Sequence, residues 1–176
     1  MTTTRVPALT LGFHPSSHGF GWIAFESPFS VYDWGISNAR GDKNAACMKK
    51  LDRLIRRLEP HTLVIEAFER RVHQRACRIV KLCRAVVACA AEQGIEVVIY
   101  TKGEIQSCFA SVDARSRQEI AEAVARHLEV IGHRLPARRN AWDTEDFRMA
   151  LFNATASVVT HFHLGSSRLF DDLIHS

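Results

Sequence analysis

"TLGFHPSSHGFGWIAFE", residues 10–26, contains two apolar segments separated by a tight Pro-Ser-Ser turn. The segments 8–13 and 20–26 are short and rich in aromatic and β-branched residues, which is typical of β-strands. A third segment of this kind, 29–35, follows directly. Because such short links join antiparallel neighbours, the three strands are predicted to form an antiparallel meander. His14 lies where the first strand ends, at a position suited to a functional side chain.

Further along the chain, the hydrophobic period changes from that of a strand to that of a helix. Apolar residues at helical spacing predict a helix that Pro60 ends: Met48, Leu51, Ile55 and Leu58. The run TLVIEAF (62–68) is apolar except for one acid, which is typical of a central parallel strand. A long helix over 72–93, ended by Gly94, and a fifth strand over 95–100 are predicted next.

The last third of the chain is predicted to be helical. Ser116 and Glu119 form a capping box for a helix that runs to about Val130. A final helix is predicted from near Asp143 to about His161, and residues 164–176 are expected to form a disordered tail. The order βββ-α-β-α-β-α-α predicts a single α/β domain over 1–176, with three antiparallel and two parallel strands in one mixed sheet flanked by helices.

Composition limits the class of protein. The 176 residues suit one domain, and 47% hydrophobic with 24% charged residues is ordinary for a globular protein. We expect no membrane span, because no apolar run reaches about 18 residues, and no signal peptide, because the N-terminus lacks the charged, apolar and small-residue pattern. A cytoplasmic location is expected. The five cysteines include no CxxC pair, which favours reduced thiols. The net charge of +4 weakly favours an anionic partner.

Three acids are candidates for chemistry. Glu66 lies inside the apolar run 62–68, where burying a carboxylate is costly unless something uses it; the alternative is that it meets water at the strand end. Asp143 and Asp146 are spaced i, i+3 near a predicted helix N-terminus, where the helix dipole stabilises negative charge. The alternative for this pair is an ordinary solvated first turn.

The predicted sheet brings these acids together with His14. Its first and fourth strands end side by side, and a helix packed on that edge delivers Asp143 and Asp146 to the same place. Three carboxylates are typical ligands of Mg²⁺ or Mn²⁺. Two such ions about 4 Å apart stabilise the attacking water and the leaving oxygen in phosphodiester cleavage.

Three motifs in this order resemble the RuvC family, the Holliday-junction endonucleases of the RNase H-like superfamily. They are GFHPSSHGFGW (12–22), LVIEAF (63–68) and WDTEDFRMAL (142–151), and the resemblance covers roughly residues 8–163. It implies an RNase H-like fold, a pair of Mg²⁺ or Mn²⁺ ions, and hydrolysis of branched DNA such as a four-way junction in recombination and repair. It also implies a homodimer, which places two sites on a symmetric junction.

His14 departs from the family pattern. The family has an aspartate there, which bridges the two metals, whereas Glu66, Asp143 and Asp146 match the other three acidic positions. An imidazole donates one nitrogen and removes one negative charge, so we expect weaker Mg²⁺ binding and a better match to Mn²⁺, Co²⁺ or Zn²⁺. Two hypotheses remain: an endonuclease with altered metal preference, with His14, Glu66, Asp143 and Asp146 as catalytic and metal-binding residues, or a weakened or inactive relative that binds branched nucleic acid.

Basic residues border the predicted site. Residues 70–84 contain no acid and six basic residues: Arg70, Arg71, Arg75, Arg78, Lys81 and Arg84. These form a candidate DNA-binding surface or a solvated helix face, and Arg138 and Arg139 add charge before Asp143. By resemblance, Arg117 occupies the place of a DNA-contacting lysine, Lys102 lies near a second, and Phe68 lies near an aromatic that stacks on an unpaired base. Core packing is an equal alternative for Phe68.

Overall fold

The computed structural model describes residues 8–68, 74–140 and 142–174, with the side chains of 74–76 and 166–174 outside the description. Five strands form one sheet in the order β3-β2-β1-β4-β5. The strands are β1 (Thr10–Pro15), β2 (Gly19–Ser27), β3 (Ser30–Asn38), β4 (Thr62–Glu66) and β5 (Glu96–Tyr100). β1, β2 and β3 are antiparallel neighbours, whereas β4 runs parallel to both β1 and β5. The predicted mixed sheet is therefore confirmed.

Six helices are described, together with a 3-10 turn at Ala110–Val112: α1 (Lys43–Leu58), α2 (Gln74–Glu92), α3 (Lys102–Phe109), α4 (Arg117–His127), α5 (Glu129–Gly132) and α6 (Met149–Ile174). The capping box predicted at Ser116 and Glu119 is present at the start of α4. A second capping box, formed by Thr101 and Glu104, begins α3, a helix that the sequence interpretation missed.

The predicted boundaries of the last helix are wrong. α6 begins at Met149, so Asp143 and Asp146 lie in the irregular segment before it and not on its first face. The reason is local, because the carboxylate of Asp146 accepts a hydrogen bond from the backbone N–H of Arg148 and so competes with helix formation. The helix also continues to Ile174, through the segment expected to form a tail. Neither α6 nor any other helix in the described ranges is long and apolar enough to cross a membrane.

Helices cover both faces of the sheet. α1 and α2 pack on one face with inward residues of β1 and β2, and α3, α4 and α6 pack on the other. α6 packs so closely on β1 and β2 that Gly12 and Gly21 leave no room for a side chain. A Cβ atom at Gly12 would lie 2.6 Å from Cγ2 of Val158, and one at Gly21 would lie 2.3 Å from the backbone nitrogen of Leu151. This close approach places the first turns of α6 beside the end of β1.

Candidate active site

His14 and Glu66 lie side by side at the ends of β1 and β4, as the strand order predicts. Phe13 pairs with Ile65 in the parallel register, so the residues that follow them, His14 and Glu66, lie next to each other at the same end of the two strands. His14 is 5% exposed and Glu66 is 4% exposed. The distance from Nδ1 of His14 to Oε2 of Glu66 is 3.5 Å, and Nε2 lies 3.3 Å from Nδ2 of Asn153 on α6. The burial of Glu66 excludes the alternative that it simply meets water.

Arg117 binds both oxygens of the Glu66 carboxylate. Its Nη2 donates to Oε1 at 2.8 Å and its Nη1 donates to Oε2 at 3.2 Å. Because the capping box fixes the start of α4 at Arg117, the guanidinium enters the site from the first turn of that helix. Such two-point pairs are among the stronger hydrogen-bonded contacts in proteins. The carboxylate that was predicted to bind metal is therefore paired with a cation of the protein itself.

His14 is neutral at physiological pH. Burial, reinforced by the positive charge of Arg117, lowers the pKa of His14 to about 3. Its contact with Glu66 is thus no ion pair, and Nδ1 has no hydrogen-bond partner among the described residues. An unpartnered buried ring nitrogen beside a carboxylate is an unusual feature, since buried polar atoms are normally hydrogen-bonded.

The low pKa of His14 predicts acid sensitivity. The imidazole of His14 is protonated below about pH 6.5 in the unfolded chain but only below about pH 3 in the folded protein. The stabilising contribution is therefore present above pH 6.5 and is lost as the pH falls, by about 1.4 kcal/mol for each pH unit. Urea unfolding at pH 7 and pH 4.5 should show a steeper loss for the wild type than for His14→Gln. Equal losses in the two proteins would contradict this assignment.

Asp146 and Asp143 are held by local partners. The guanidinium of Arg148 binds Asp146 through Nε at 3.0 Å and Nη2 at 2.7 Å, and these hydrogen bonds hold the pKa of the Asp146 carboxyl below its usual range. Asp146 lines a small cavity together with His14 and Asn153. The carboxylate of Asp143 instead accepts a hydrogen bond from the backbone N–H of Asn140 at 3.0 Å.

The arrangement does not fit the predicted pair of metal ions. Among the described residues, no three His, Cys, Asp or Glu side chains are grouped so that they could hold an ion. Arg117 and Arg148 neutralise two of the three carboxylates, and the fourth predicted ligand, His14, is uncharged. Ions such as Mg²⁺ need several oxygen ligands and compensating negative charge. Within the part of the chain that the structure describes, the unpartnered Nδ1 of His14 beside Glu66 suits a single ion with mixed nitrogen and oxygen ligands.

Three of the predicted DNA-binding arginines lie around one cavity of about 290 Å³. Arg117, Arg138 and Arg139 line it together with Asn140. Arg138 forms a two-point ion pair with Glu122, at 2.7 and 2.8 Å, on the protein surface. The guanidinium of Arg139 donates to the backbone carbonyl of Asp143.

The remaining predicted DNA-binding residues have different surroundings. Lys102 is exposed and lines a neighbouring cavity that Glu66 and Arg117 also line. Arg78 donates to the carbonyl of Ser16 at 3.0 Å and so ties α2 to the turn between β1 and β2. Phe68 is half-buried against the core, with its ring centre 5.3 Å from that of His14. Arg70, Arg71 and the side chain of Arg75 lie outside the described residues.

Sequence reasoning missed Asn153 and Arg148. Asn153 is 7% exposed and is the described neighbour of Nε2 of His14. It stands within the apolar stretch MALFNATASVV of α6, and an amide in such a stretch was a detectable sign of a buried polar contact. Arg148 follows Asp146 by two residues, but nothing in that spacing alone indicates a two-point ion pair.

An antiparallel meander continued by two parallel strands, with acids at the end of β4 and ahead of the last helix, defines an RNase H-like fold. No protein-family model matches the chain. The crossover junction endodeoxyribonuclease RuvC of Chlorobium phaeobacteroides is 26% identical over 134 residues, which cover 71% of this chain and 72% of that protein.

Solved structures with the same fold include two of RuvC. Thermus thermophilus RuvC matches with a TM-score of 0.62 at 17% identity, over 90% of this chain and 96% of that one. T. thermophilus RuvC in complex with a Holliday junction substrate matches at 0.60 and 16% identity, over 87% and 91%. The yeast mitochondrial Holliday junction resolvase matches at 0.53 and 16% identity, over 94% and 85%. These structural similarities show a shared fold, and the sequence match shows similarity to a RuvC protein.

Proposed function

We propose that this chain is a RuvC-type endonuclease scaffold that binds branched DNA and, as it stands, cleaves it weakly or not at all. Homology to RuvC and structural similarity to Holliday junction resolvases support a branched-DNA endonuclease function. The pI near 9.0 and the arginine-lined cavity beside Glu66 suit a phosphate-rich partner. We also propose a homodimer, because a four-way junction presents two equivalent positions for cleavage. The proposed location is the cytoplasm.

The main evidence for weakened cleavage is the two-point ion pair between Arg117 and Glu66. A divalent ion that used this carboxylate would have to displace a guanidinium held at 2.8 and 3.2 Å. His14 adds no negative charge to attract the ion, because its imidazole, with a pKa of about 3, is neutral at neutral pH whereas a carboxylate would be anionic. We therefore expect the protein to bind a metal pair poorly at neutral pH.

A second candidate is an endonuclease that uses one ion of the Mn²⁺ class. The observation in its favour is the unpartnered Nδ1 of His14, which lies 3.5 Å from an oxygen of Glu66. A nitrogen ligand next to a carboxylate suits Mn²⁺, Co²⁺ or Zn²⁺ better than Mg²⁺. In this case Arg117 would have to leave Glu66 before the ion could bind.

A synthetic four-way junction tests both candidates. Binding is measured by fluorescence anisotropy in EDTA, against a linear duplex of the same length, and cleavage is measured in Mg²⁺ and in Mn²⁺. We expect tighter binding to the junction, weakening with added salt, and little product in either metal. Cleavage in Mn²⁺ alone would favour the second candidate. Rapid cleavage in Mg²⁺ would contradict the weakened site, and equal binding to the duplex would contradict recognition of branched DNA.

A further inference from the structure

Trp142 is strongly exposed to solvent and lies in the chain between Asn140 and Glu145, which both line the arginine-lined cavity. It is 82% exposed, whereas Trp22 is 7% exposed and Trp34 is half-buried. Tryptophan has a large apolar surface, and it is characteristically placed where one face contacts a partner. An exposed tryptophan that belongs to neither core cluster therefore indicates a contact surface.

The surroundings of Trp142 favour an anionic partner. Asn140, two residues before it, lines the arginine-lined cavity. Arg117 and Arg138 in that cavity are paired with the carboxylates of Glu66 and Glu122. The guanidinium of Arg139 donates to a backbone carbonyl, and no carboxylate among the described residues pairs directly with it. One acid, Glu145, also lines the cavity.

We propose that Trp142 and Arg139 form a subsite for one unpaired nucleotide of branched DNA, in which the indole stacks on the base and the guanidinium holds a phosphate. Stacking on aromatic rings is the usual way in which proteins hold bases that have left a duplex, and arginine suits the phosphate because of its planar fork of donors. The inference rests on the proposed function, since only a branch point or a single strand offers an unpaired base.

The other aromatic candidate for stacking is less available. Phe68 is half-buried and packs against the core next to His14. Phe29 is 95% exposed, but it lies at the turn between β2 and β3 and not in the segment 138–149, which lines the arginine-lined cavity. Phe29 is therefore a matched control for the loss of an exposed aromatic ring.

The test compares Trp142→Ala, Trp142→Phe and Phe29→Ala in binding to a four-way junction that carries 2-aminopurine at the branch point. Trp142→Ala should weaken junction binding by about 5-fold to about 150-fold, the range for loss of one base stack. Trp142→Phe should retain most of the affinity, and Phe29→Ala should match the wild type. Junction DNA should quench tryptophan fluorescence in the wild type and much less in Trp142→Phe, because the two remaining tryptophans are more buried.

The outcomes separate this inference from the proposed function. Tight junction binding by the wild type, with unchanged affinity and 2-aminopurine fluorescence in Trp142→Ala, would overturn the subsite and leave the proposed function intact. A wild type that does not prefer the junction to a duplex would overturn the proposed function itself. A change in self-association of Trp142→Ala without a change in DNA binding would show that the ring serves a protein interface, and would also overturn the subsite.

Discussion

Replacing Arg117 with methionine is expected to lower the free energy of unfolding by about 2–3 kcal/mol. The change leaves the carboxylate of Glu66, which is 4% exposed, without its cation. Removing one partner of a fully buried ion pair costs about 3–5 kcal/mol, and the expected value is smaller because the Arg117 side chain is 37% exposed. Urea unfolding at neutral pH in EDTA measures the difference.

A matched control comes from the ion pair between Arg138 and Glu122. It has the same two-point geometry, but the Arg138 side chain is 71% exposed, so Arg138→Met should cost only about 0–1 kcal/mol. The double variant Arg117→Met with Glu66→Gln should recover part of the loss, since the buried charge is then gone. Equal effects of the two arginine substitutions would show that the buried pair has no special role.

His14→Asp is expected to raise cleavage of a four-way junction in Mg²⁺ by about 10-fold to 100-fold, the usual scale for changing one group around a metal site. The new carboxylate would stand beside Glu66, so that Arg117 could no longer neutralise both. The restored negative charge favours a divalent ion, and oxygen suits Mg²⁺ better than a ring nitrogen does. Initial rates of product formation in Mg²⁺, at saturating enzyme, measure the gain.

The control for this change is His18→Asp. His18 lies in the turn that follows β1 and is exposed, so the substitution introduces the same carboxylate away from Glu66. Combining His14→Asp with Arg117→Met should raise the rate further, because the competing cation is removed. If neither variant cleaves although both bind the junction, the defect lies outside this group of residues.

The sheet was predictable because its pattern is local. Short apolar segments separated by Gly, Pro and Ser predicted β1, β2 and β3, and the apolar run around Glu66 predicted β4. The capping box at Ser116 predicted the start of α4 for the same reason. α3 could also have been predicted, since Thr101 and Glu104 have the same spacing.

The site was predictable only in part. The neighbourhood of His14 and Glu66 follows from strand order, which is a property of the fold. The pair between Arg117 and Glu66 joins residues 51 positions apart and depends on the exact angle at which α4 begins, so no sequence spacing reveals it. The spacing of Asp146 from Asp143 predicts a helix, yet Asp146 hydrogen-bonds with Arg148 in the irregular segment before α6.

Crystals grown with Mn²⁺ are the sharpest test of whether Arg117 takes the place of a metal ion on Glu66. Anomalous scattering locates manganese, and ordinary density at the same site locates the guanidinium. We expect Arg117 on the Glu66 carboxylate and no anomalous peak between Glu66 and His14. One or two manganese peaks within bonding distance of Glu66, with Arg117 displaced, would contradict it.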